Sequence, residues 1–427
     1  MLATHLKKYL ERFGVHYAWV MATIAFLFSI VAPAVGSVPQ ILILPITEAY
    51  GWDISDFSLA TGLMYFVIAI MCPFGASLML KFGVSKIVYI AVSLEVLGLL
   101  CTIFSYEKWH LLFSIGLFLG AASGIIGLSL AATVATRWFT ARRGLIIGIL
   151  TSAFAAGQLI FIPFMAWITI TYDWRLAVLP GLIGAVLCGV LFLLFSKDWP
   201  SELDLPAYGD KEVFHPPPTD NVANVLFMTF TSLADGIKHP AFWILATTFF
   251  ICGLTSTGIV GQHFIPFCAD NNVGIVVASS YLALMGIFNF IGTTTSGWLS
   301  DRYDNYKLLA IYYGFRGFSL LYLPYGNFSI YELTLWAIFF GLDFIATVPP
   351  TVRLSGQYFG TVNGPLVFGW IFAAHQGGAA FAAYGAGISR DFFISYVPAF
   401  LMAGLACFVA TGLIMYFRAS KYRLKVL

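Results

Sequence analysis

The chain has 427 residues, of which 60% are hydrophobic and only 10% are charged, and its formal net charge is +2. In a typical soluble domain about a quarter of the residues are charged, so these few charges cannot cover the surface of a soluble protein this long. The composition argues against a soluble enzyme, a disordered scaffold and a nucleic-acid-binding protein. It predicts an all-α integral membrane protein embedded in a lipid bilayer.

The six cysteines are scattered singly, and no CxxC or CxxH motif occurs. We therefore expect neither a disulfide framework nor a metal site, and no motif calls for a cofactor. The N-terminal basic residues precede a long apolar run that contains Pro33 and Pro39. This run is too long for a signal peptide, so we interpret it as the first spanning helix.

Each crossing of a bilayer requires about 20 mostly apolar residues. Charge clusters and turn residues divide the sequence into twelve such spans, at roughly 17–47, 55–80, 84–105, 110–137, 142–171, 176–196, 240–263, 274–299, 306–325, 331–358, 364–388 and 394–417. With Lys and Arg assigned to alternate sides, seventeen fall on one side and three on the other, and two lie within spans. By the positive-inside rule, both termini are predicted to be cytoplasmic, in the inner (plasma) membrane.

The two halves of the sequence repeat. Lys81-Phe82-Gly83 and Arg302-Tyr303-Asp304 stand 221 residues apart, and Pro180 and Pro398 begin spans six and twelve. We predict an N-terminal six-helix bundle (1–196), a cytoplasmic linker (197–239) and a C-terminal six-helix bundle (240–427). The linker's second half is interpreted as a helix on the membrane surface, with a solvated loop as the alternative. Two parallel repeats are typical of a transporter that rocks one half against the other, rather than of a channel or receptor.

Gly297-Trp298-Leu299-Ser300-Asp301-Arg302-Tyr303, followed by Lys307, resembles the loop signature of the major facilitator superfamily. The first-half counterpart, Leu80–Lys86, keeps Lys81 and Gly83 but has Leu where the Asp is expected. The run from Arg137 to Gly144, with Tyr172-Asp173-Trp174-Arg175 after span five, is similar to the monocarboxylate-porter and oxalate/formate branch. The resemblance covers the whole chain and implies twelve transmembrane helices in two pseudo-symmetric six-helix bundles.

Asp301, at the end of span eight, is expected to pair with Arg302, Lys307 or the N-terminus of a neighbouring helix. Such a pair would hold one conformation and break in the other, whereas simple membrane anchoring is the alternative. The predicted gating signature consists of Gly297, Asp301, Arg302, Lys81, Gly83, Arg142 and Arg143.

Ionisable residues inside a membrane are costly and point to function. Asp343 lies mid-span just before Pro349 and Pro350, which must loosen the helix. We predict that it carries the coupled proton, with a structural pairing to Arg316 as the alternative. Arg316 itself is a candidate for attracting an anionic substrate or for neutralising Asp343. For Arg316 and for Glu95, its equivalent in span three, helix packing is the other interpretation, and Arg353 is interpreted as a membrane anchor.

A further set of polar or aromatic residues lies on spans expected to face a central cavity: Gln158, Gln262, His263, Asn289, Trp370, His375 and Gln376. Each alone also fits a role in holding helices together, but as a set they predict a shared substrate site. Gln262 and His263 are expected at the extracellular end of span seven. Animal monocarboxylate porters carry an Asp and an Arg in span eight, where this sequence has Asn289 and Thr293.

The sequence thus predicts a secondary transporter, most simply a proton-coupled symporter of a small organic anion such as a monocarboxylate, that works as a monomer. The alternative is transport of a larger amphipathic compound, such as a drug, metabolite or chelator, on the same fold. No Walker loop or metalloprotease motif occurs, so an ATP-driven pump and a membrane enzyme are disfavoured.

Overall fold

The computed structural model describes residues 2–127, 129–215 and 223–426. Within these ranges the side chains of residues 129, 132, 143, 144, 151, 152, 223–226, 361, 362 and 420–426 lie outside the description. The predicted linker residues Pro216–Pro218 and the side chain of Arg143 therefore lie outside the described part of the chain. Elsewhere the described residues form helices, and the isolated β-bridge between Phe139 and Tyr208 is their sole strand-like pairing.

The described residues of the first half form twelve α-helices. In chain order they are α1 (Leu2–Glu11), α2 (Ala18–Gly36), α3 (Val38–Tyr50), α4 (Ile54–Met71), α5 (Gly75–Phe82), α6 (Val84–Ile103), α7 (Lys108–Leu111), α8 (Gly120–Ile126), α9 (Ser129–Trp138), α10 (Arg143–Thr171), α11 (Trp174–Ala177) and α12 (Leu179–Phe195). A π-helical segment, Leu112–Leu119, joins α7 to α8. The predicted fourth span is not one helix, because the chain turns sharply at Gly127 after α8.

The linker and the second half contribute the remaining described helices. They are α13 (Ala223–Gly236), α14 (Pro240–Gly253), α15 (Gln262–Asp270), α16 (Ile275–Ser300), α17 (Asn305–Tyr322), α18 (Ile330–Asp343), α19 (Val348–Phe393) and α20 (Val397–Val426). A second π-helical segment, Leu254–Gly261, joins α14 to α15. The helix α19 consists of two parts that meet at a kink at Gly360, whose φ is 81°.

Among the described residues, eleven helical segments are long and apolar enough to cross a membrane. The predicted ninth span forms α17, which has 18 residues, but its tyrosines, Lys307 and Arg316 make it less apolar than the others. It packs chiefly against α20, and its Arg316 side chain is fully buried.

The predicted positions of Gln262 and His263 are wrong. The seventh span continues to Asp270, the first charged residue after Lys238. The two residues therefore lie about two turns inside the helix rather than at its end. Pro266 stands within α15 without ending it.

The assembly has two ends, for which we use fixed names. The linker face carries α1, the linker and the loops after α5 and α16. Lys7 of α1 contacts the Leu203 carbonyl of the linker, and Arg137 of α9 contacts the Asp198 carbonyl. The opposite face carries the loops after α3, α6 and α15. One large buried apolar cluster includes residues of both halves, and a second consists of first-half residues with Leu203.

Candidate functional site

A buried hydrogen bond joins the two halves of the chain. Gln262, the first residue of α15, donates from Nε2 to the hydroxyl of Tyr65 on α4 over 2.5 Å. Both side chains are buried. The π-helical segment ahead of Gln262 widens the helix there, and such segments occur frequently at functional sites. At 1.5 Å per residue, the pair lies roughly 12–16 Å along its helices from their ends at the opposite face.

Close packing surrounds this polar pair. A Cβ placed on Gly286 of α16 would lie 2.9 Å from Oε1 of Gln158 on α10, so the two halves are in direct contact there as well. One turn further along α16, Oδ1 of Asn289 accepts a hydrogen bond of 3.1 Å from Thr293 Oγ1, and both residues are half-buried. The predicted residues Gln158, Gln262 and Asn289 thus lie on helices that meet at the interface between the halves.

His263 is oriented differently from its neighbour Gln262. Its Nε2 lies 2.7 Å from the carbonyl of Ala383 and its Nδ1 lies 3.3 Å from the hydroxyl of Tyr396. Both contacts are within the second half, and the ring is buried. The histidine therefore ties α15 to α19 and to the start of α20.

Two further predicted residues lie on α19. Trp370 donates from Nε1 to the carbonyl of Thr229 over 2.9 Å and contacts the ring of Phe74, so it lies against the linker helix α13 at the linker face. His375 is deeper and stacks on Phe372 at a ring separation of 5.5 Å. Its Nδ1, like Oε1 of the adjacent Gln376, is buried without a hydrogen-bond partner among the described residues.

Asp343 and Arg316 form an ion pair inside the second half. Nε of Arg316 donates to Oδ2 of Asp343 over 2.6 Å, and the two side chains are 0% and 9% exposed. The other carboxylate oxygen, Oδ1, is buried without a partner among the described residues. The structure therefore places Asp343 against Arg316, which is one of the two roles that the sequence leaves open.

The remaining nitrogens of Arg316 are also engaged. Its second terminal nitrogen, Nη2, donates to the carbonyls of Asp343 (2.6 Å) and Phe344 (3.2 Å). The first, Nη1, contacts Sγ of Cys252 at 3.0 Å and Oγ1 of Thr255 at 3.4 Å. Since every nitrogen of the guanidinium donates within the protein, Arg316 is not positioned to bind an anionic substrate in this conformation.

The first-half equivalent, Glu95, is buried on α6 close enough to Cys188 of α12 to interact with it electrostatically. The ion pair between Arg316 and Asp343 therefore has no direct copy among the described residues at the corresponding place in the first half.

At the linker face Asp301 accepts a hydrogen bond from Arg353 of α19, not from the predicted partners Arg302 or Lys307. Arg302 instead lies over the ring of Trp298, 4.1 Å from its centroid. The structure gives Asp301 a partner that the sequence did not predict, because Arg353 stands 52 residues further along the chain on another helix and cannot be located from local spacing. Arg353, interpreted as an anchor, is half of this pair.

A second carboxylate at the linker face, Asp304, accepts from Arg418 over 2.8 Å and caps the N-terminus of α17. Partial burial raises the pKa of Asp304, but the hydrogen bonds from Arg418 and from the amides of Tyr306 and Lys307 outweigh it and hold the pKa below its ordinary value.

The first-half loop Leu80–Lys86 lacks the Asp of the loop signature, and a carboxylate from outside the loop contacts it. Oδ1 of Asp198, just after α12, accepts from the amide of Ser85 over 2.8 Å. Gly83 has a φ of 87°, and a Cβ on it would lie 2.0 Å from Asp198 Oδ2, so only glycine fits. Lys81 contacts the neighbouring Phe82 ring, and Arg142 is exposed at the start of α10.

At the opposite face the halves are joined again. The carboxylate of Asp391, at the end of α19, accepts from the amides of Ile54 (3.3 Å) and Ser55 (2.8 Å) at the N-terminus of α4. Beside it, Arg390 makes two hydrogen bonds to Asp270. The helix dipole and the charge of Asp391 both favour this contact, so it helps to hold the two halves together at the opposite face.

These features define a class: a multi-pass integral membrane protein whose halves meet at a buried polar interface, with ion pairs at one face and a helix cap at the other. The sequence matches the Major Facilitator Superfamily over residues 18–383. The chain belongs to this superfamily, as the loop signature predicts.

Relatives among known proteins agree with the predicted branch. The chain is 26% identical to the uncharacterized MFS-type transporter YcxA of Bacillus subtilis, with 92% of this chain and 93% of that protein covered. It is 24% identical to monocarboxylate transporter 13 of Rattus norvegicus (80% and 75% covered) and 24% identical to the oxalate:formate antiporter of Oxalobacter formigenes (69% and 66%). These relatives are transporters and not enzymes.

The fold is shared with solved transporters. The crystal structure of a D-xylose-proton symporter superposes with a TM-score of 0.70 at 13% identity, covering 93% of this chain and 97% of that one. With the family match over residues 18–383, the chain is a transporter of the Major Facilitator Superfamily, and this superposition shows the shared helical architecture.

Proposed function

We propose that the protein is a secondary transporter that carries a small organic anion, such as a monocarboxylate, across the inner membrane together with a proton. The two halves, 1–196 and 240–427, act as two six-helix bundles that rock about their interface. The helix α17 serves as the twelfth span, both termini and the linker face are cytoplasmic, α13 lies along the membrane surface, and the protein works as a monomer.

The observation that carries this proposal is the hydrogen bond between Gln262 and Tyr65. It is a buried contact between polar side chains of opposite halves, and such transporters bind substrate at the interface between their repeats. Because the tyrosine hydroxyl accepts from Gln262, its own proton remains to be donated, and the amide has a second N–H. Two neutral donors of this kind suit one carboxylate group.

The size of the substrate follows from the packing. Gly286 and Gln158 approach each other within van der Waals distance next to the interface, which favours a small solute over a bulky amphipathic one. The names of the relatives, a monocarboxylate transporter and an oxalate:formate antiporter, point to the same substrate class.

Proton coupling is assigned to Asp343. A buried carboxylate with one unsatisfied oxygen can accept a proton with less cost than a carboxylate whose oxygens are both hydrogen-bonded. A monocarboxylate that enters with one proton adds no net charge to the interior, so no fixed cation at the substrate site is needed.

The test is uptake by purified protein in proteoliposomes. We expect an inward proton gradient to drive accumulation of labelled lactate, formate or pyruvate, and Tyr65→Phe to raise the KM about tenfold, since it removes a buried hydrogen-bond partner. Tyr281→Phe is the matched control, because this buried tyrosine donates to the Ile330 carbonyl away from the interface. Absence of uptake for every organic anion tested, or an unchanged KM in Tyr65→Phe, would contradict the proposal.

A further inference from the structure

We propose that the exposed side of α1 is a docking surface for anionic phospholipids at the linker face. The docking surface consists of Lys8, Tyr9, Arg12 and Phe13. Its basic side chains meet the phosphate-bearing headgroup, and its aromatic rings meet the upper part of the acyl chains. This inference concerns a lipid partner of the protein and does not depend on the transported substrate.

One side of α1 is held by the protein. Leu6 and Leu10 are four residues apart, and therefore on the same face of the helix, and both pack against the buried first-half cluster. Next to this face, Lys7 lies 3.5 Å from the Glu11 carboxylate and donates to the Leu203 carbonyl of the linker over 2.6 Å. These contacts fix the orientation of α1 and leave its other side exposed.

The exposed side carries one basic pair and one aromatic pair. Lys8 and Arg12 are exposed, and neither has an ion-pair partner among the described residues. Beside them, Tyr9 and Phe13 are 56% and 66% exposed, and their ring centroids are 5.1 Å apart. Two like charges four residues apart on a helix repel each other, and an anion bound between them removes the repulsion. An anionic lipid supplies that anion together with an apolar phase for the rings.

The charges of this segment are segregated. Residues 2–13 contain Lys7, Lys8 and Arg12 but one acidic residue, Glu11. Because Glu11 is paired with Lys7, the two cations of the exposed side are not neutralised within the helix. Basic residues beside aromatic ones on an amphipathic helix are typical of helices that lie on an anionic bilayer surface. Charge complementarity therefore favours an anionic lipid as the occupant.

The helix α1 is also at the right level of the molecule. The first spanning segment begins at Ala18, shortly after the chain turns at Gly14 with a φ of 66°. The hydroxyl of Tyr17 donates to the carbonyl of Phe195, the last residue of the sixth spanning segment. Helix α1 packs beside α12, whose Leu193 is exposed as expected for a side chain that faces lipid. The docking surface thus lies near the ends of two spans, where headgroups are within reach.

Hydrogen exchange of the full-length protein in nanodiscs tests the inference. Each disc holds one copy of the protein, in phosphatidylcholine alone or in an equal mixture with phosphatidylglycerol, and amides of residues 2–13 are followed by mass spectrometry. We expect exchange at low salt to be at least about fivefold slower in the anionic discs, because each Lys or Arg near an anionic membrane contributes about fivefold in affinity. About 0.5 M NaCl should remove the difference, since it screens exposed charges.

Two double variants separate docking from overall charge. Lys8→Gln combined with Arg12→Gln should exchange at the same rate in both kinds of disc. Lys211→Gln combined with Lys238→Gln is the matched control, because it removes the same number of charges from exposed residues of the linker. This control should keep the wild-type response to phosphatidylglycerol.

A third double variant tests the aromatic pair. Tyr9→Ser combined with Phe13→Ser should reduce the slowing in anionic discs and keep its sensitivity to salt, because the basic pair remains. All the substituted side chains are exposed, so these variants are expected to fold.

Equal exchange of wild-type α1 in the two kinds of disc would overturn the inference, and this comparison needs no variant. An equal loss of the response in the basic-pair variant and in its linker control would overturn it as well. Protection that requires two copies in one disc would assign the surface to a second copy instead. Protection by inorganic phosphate in phosphatidylcholine discs would assign it to a free anion, and either result would reject the lipid.

Discussion

Asp391 and Ser55 belong to opposite halves of the chain, and the carboxylate of the one accepts the backbone N–H of the other over 2.8 Å. The contact is an N-terminal helix cap from a distant segment, and it adds to the helix's own capping box of Asp53 and Asp56. The two residues must separate whenever the opposite face opens. The linker face has its own pair, Asp301 with Arg353, which joins two helices within the second half.

The cap should contribute measurably to stability. Loss of a carboxylate that caps a helix costs about 1 kcal/mol, so Asp391→Ala should lower the apparent unfolding temperature by a few degrees. Asp391→Asn should retain most of the stability, because an amide oxygen also caps helices. Thermal unfolding in detergent measures the stability of both variants. Equal decreases in their unfolding temperatures would show that the charge of Asp391, and not its capping hydrogen bonds, stabilises the protein.

Backbone contact between α16 and α18 should make one glycine indispensable. Gly292→Ala would place a Cβ 1.8 Å from the Leu342 carbonyl, whereas Gly297, five residues along the same helix, has open space around it. We expect Gly292→Ala to destabilise the protein by several kcal/mol and to reduce folded yield sharply. Gly297→Ala should be stable, although Gly297 belongs to the loop signature. A well-folded Gly292→Ala protein would contradict the close approach.

The linker-face pair can be tested by charge exchange. Asp301 and Arg353 are 65% and 42% exposed, so their pair contributes roughly 0.2–1 kcal/mol and its loss should change transport rates by at most about fivefold. Asp301→Arg and Arg353→Asp should each slow initial uptake, and the double exchange should recover most of the loss. A double variant that is slower than both single variants would contradict a functional ion pair between Asp301 and Arg353.

Acid should remove the contribution of Asp304. Its pKa is lowered in the folded protein, so its stabilisation is present above the unfolded value near pH 4 and is lost as the pH falls through the folded value. Arg418→Gln should therefore be less stable than wild type at about pH 7, by about 1 kcal/mol at most, and the difference should vanish below about pH 3. A difference in stability between wild type and Arg418→Gln that grows as the pH falls would contradict the pairing of Asp304 with Arg418.

Several features of the fold were predictable because their signals are local. The double proline predicts the break after Asp343, and the structure has it at residues 344–347. The apolar spans and the loop signature predict a multi-pass protein of the superfamily, which is confirmed. In these cases the residue that causes the feature lies within a few positions of its effect.

The site was predicted less completely because its contacts are distant in sequence. Tyr65 is one of 21 tyrosines, and nothing in its surroundings distinguishes it until α4 meets α15. Asp198, which replaces the missing carboxylate of the first-half loop, lies 113 residues from the Ser85 amide that it caps. Trp370 was predicted to line the substrate cavity because it is aromatic and lies on span eleven, but its side chain packs against the linker helix α13.

The central claim is that Asp343 couples a proton to movement of the substrate between the two faces. It is tested most directly by comparing Asp343→Asn with wild type in proteoliposomes, with accumulation and counterflow exchange of a labelled monocarboxylate measured side by side. The account predicts that accumulation against a gradient is lost, whereas exchange, which needs no net proton movement, survives at a comparable rate. Acid-driven accumulation by Asp343→Asn at the wild-type level would contradict it.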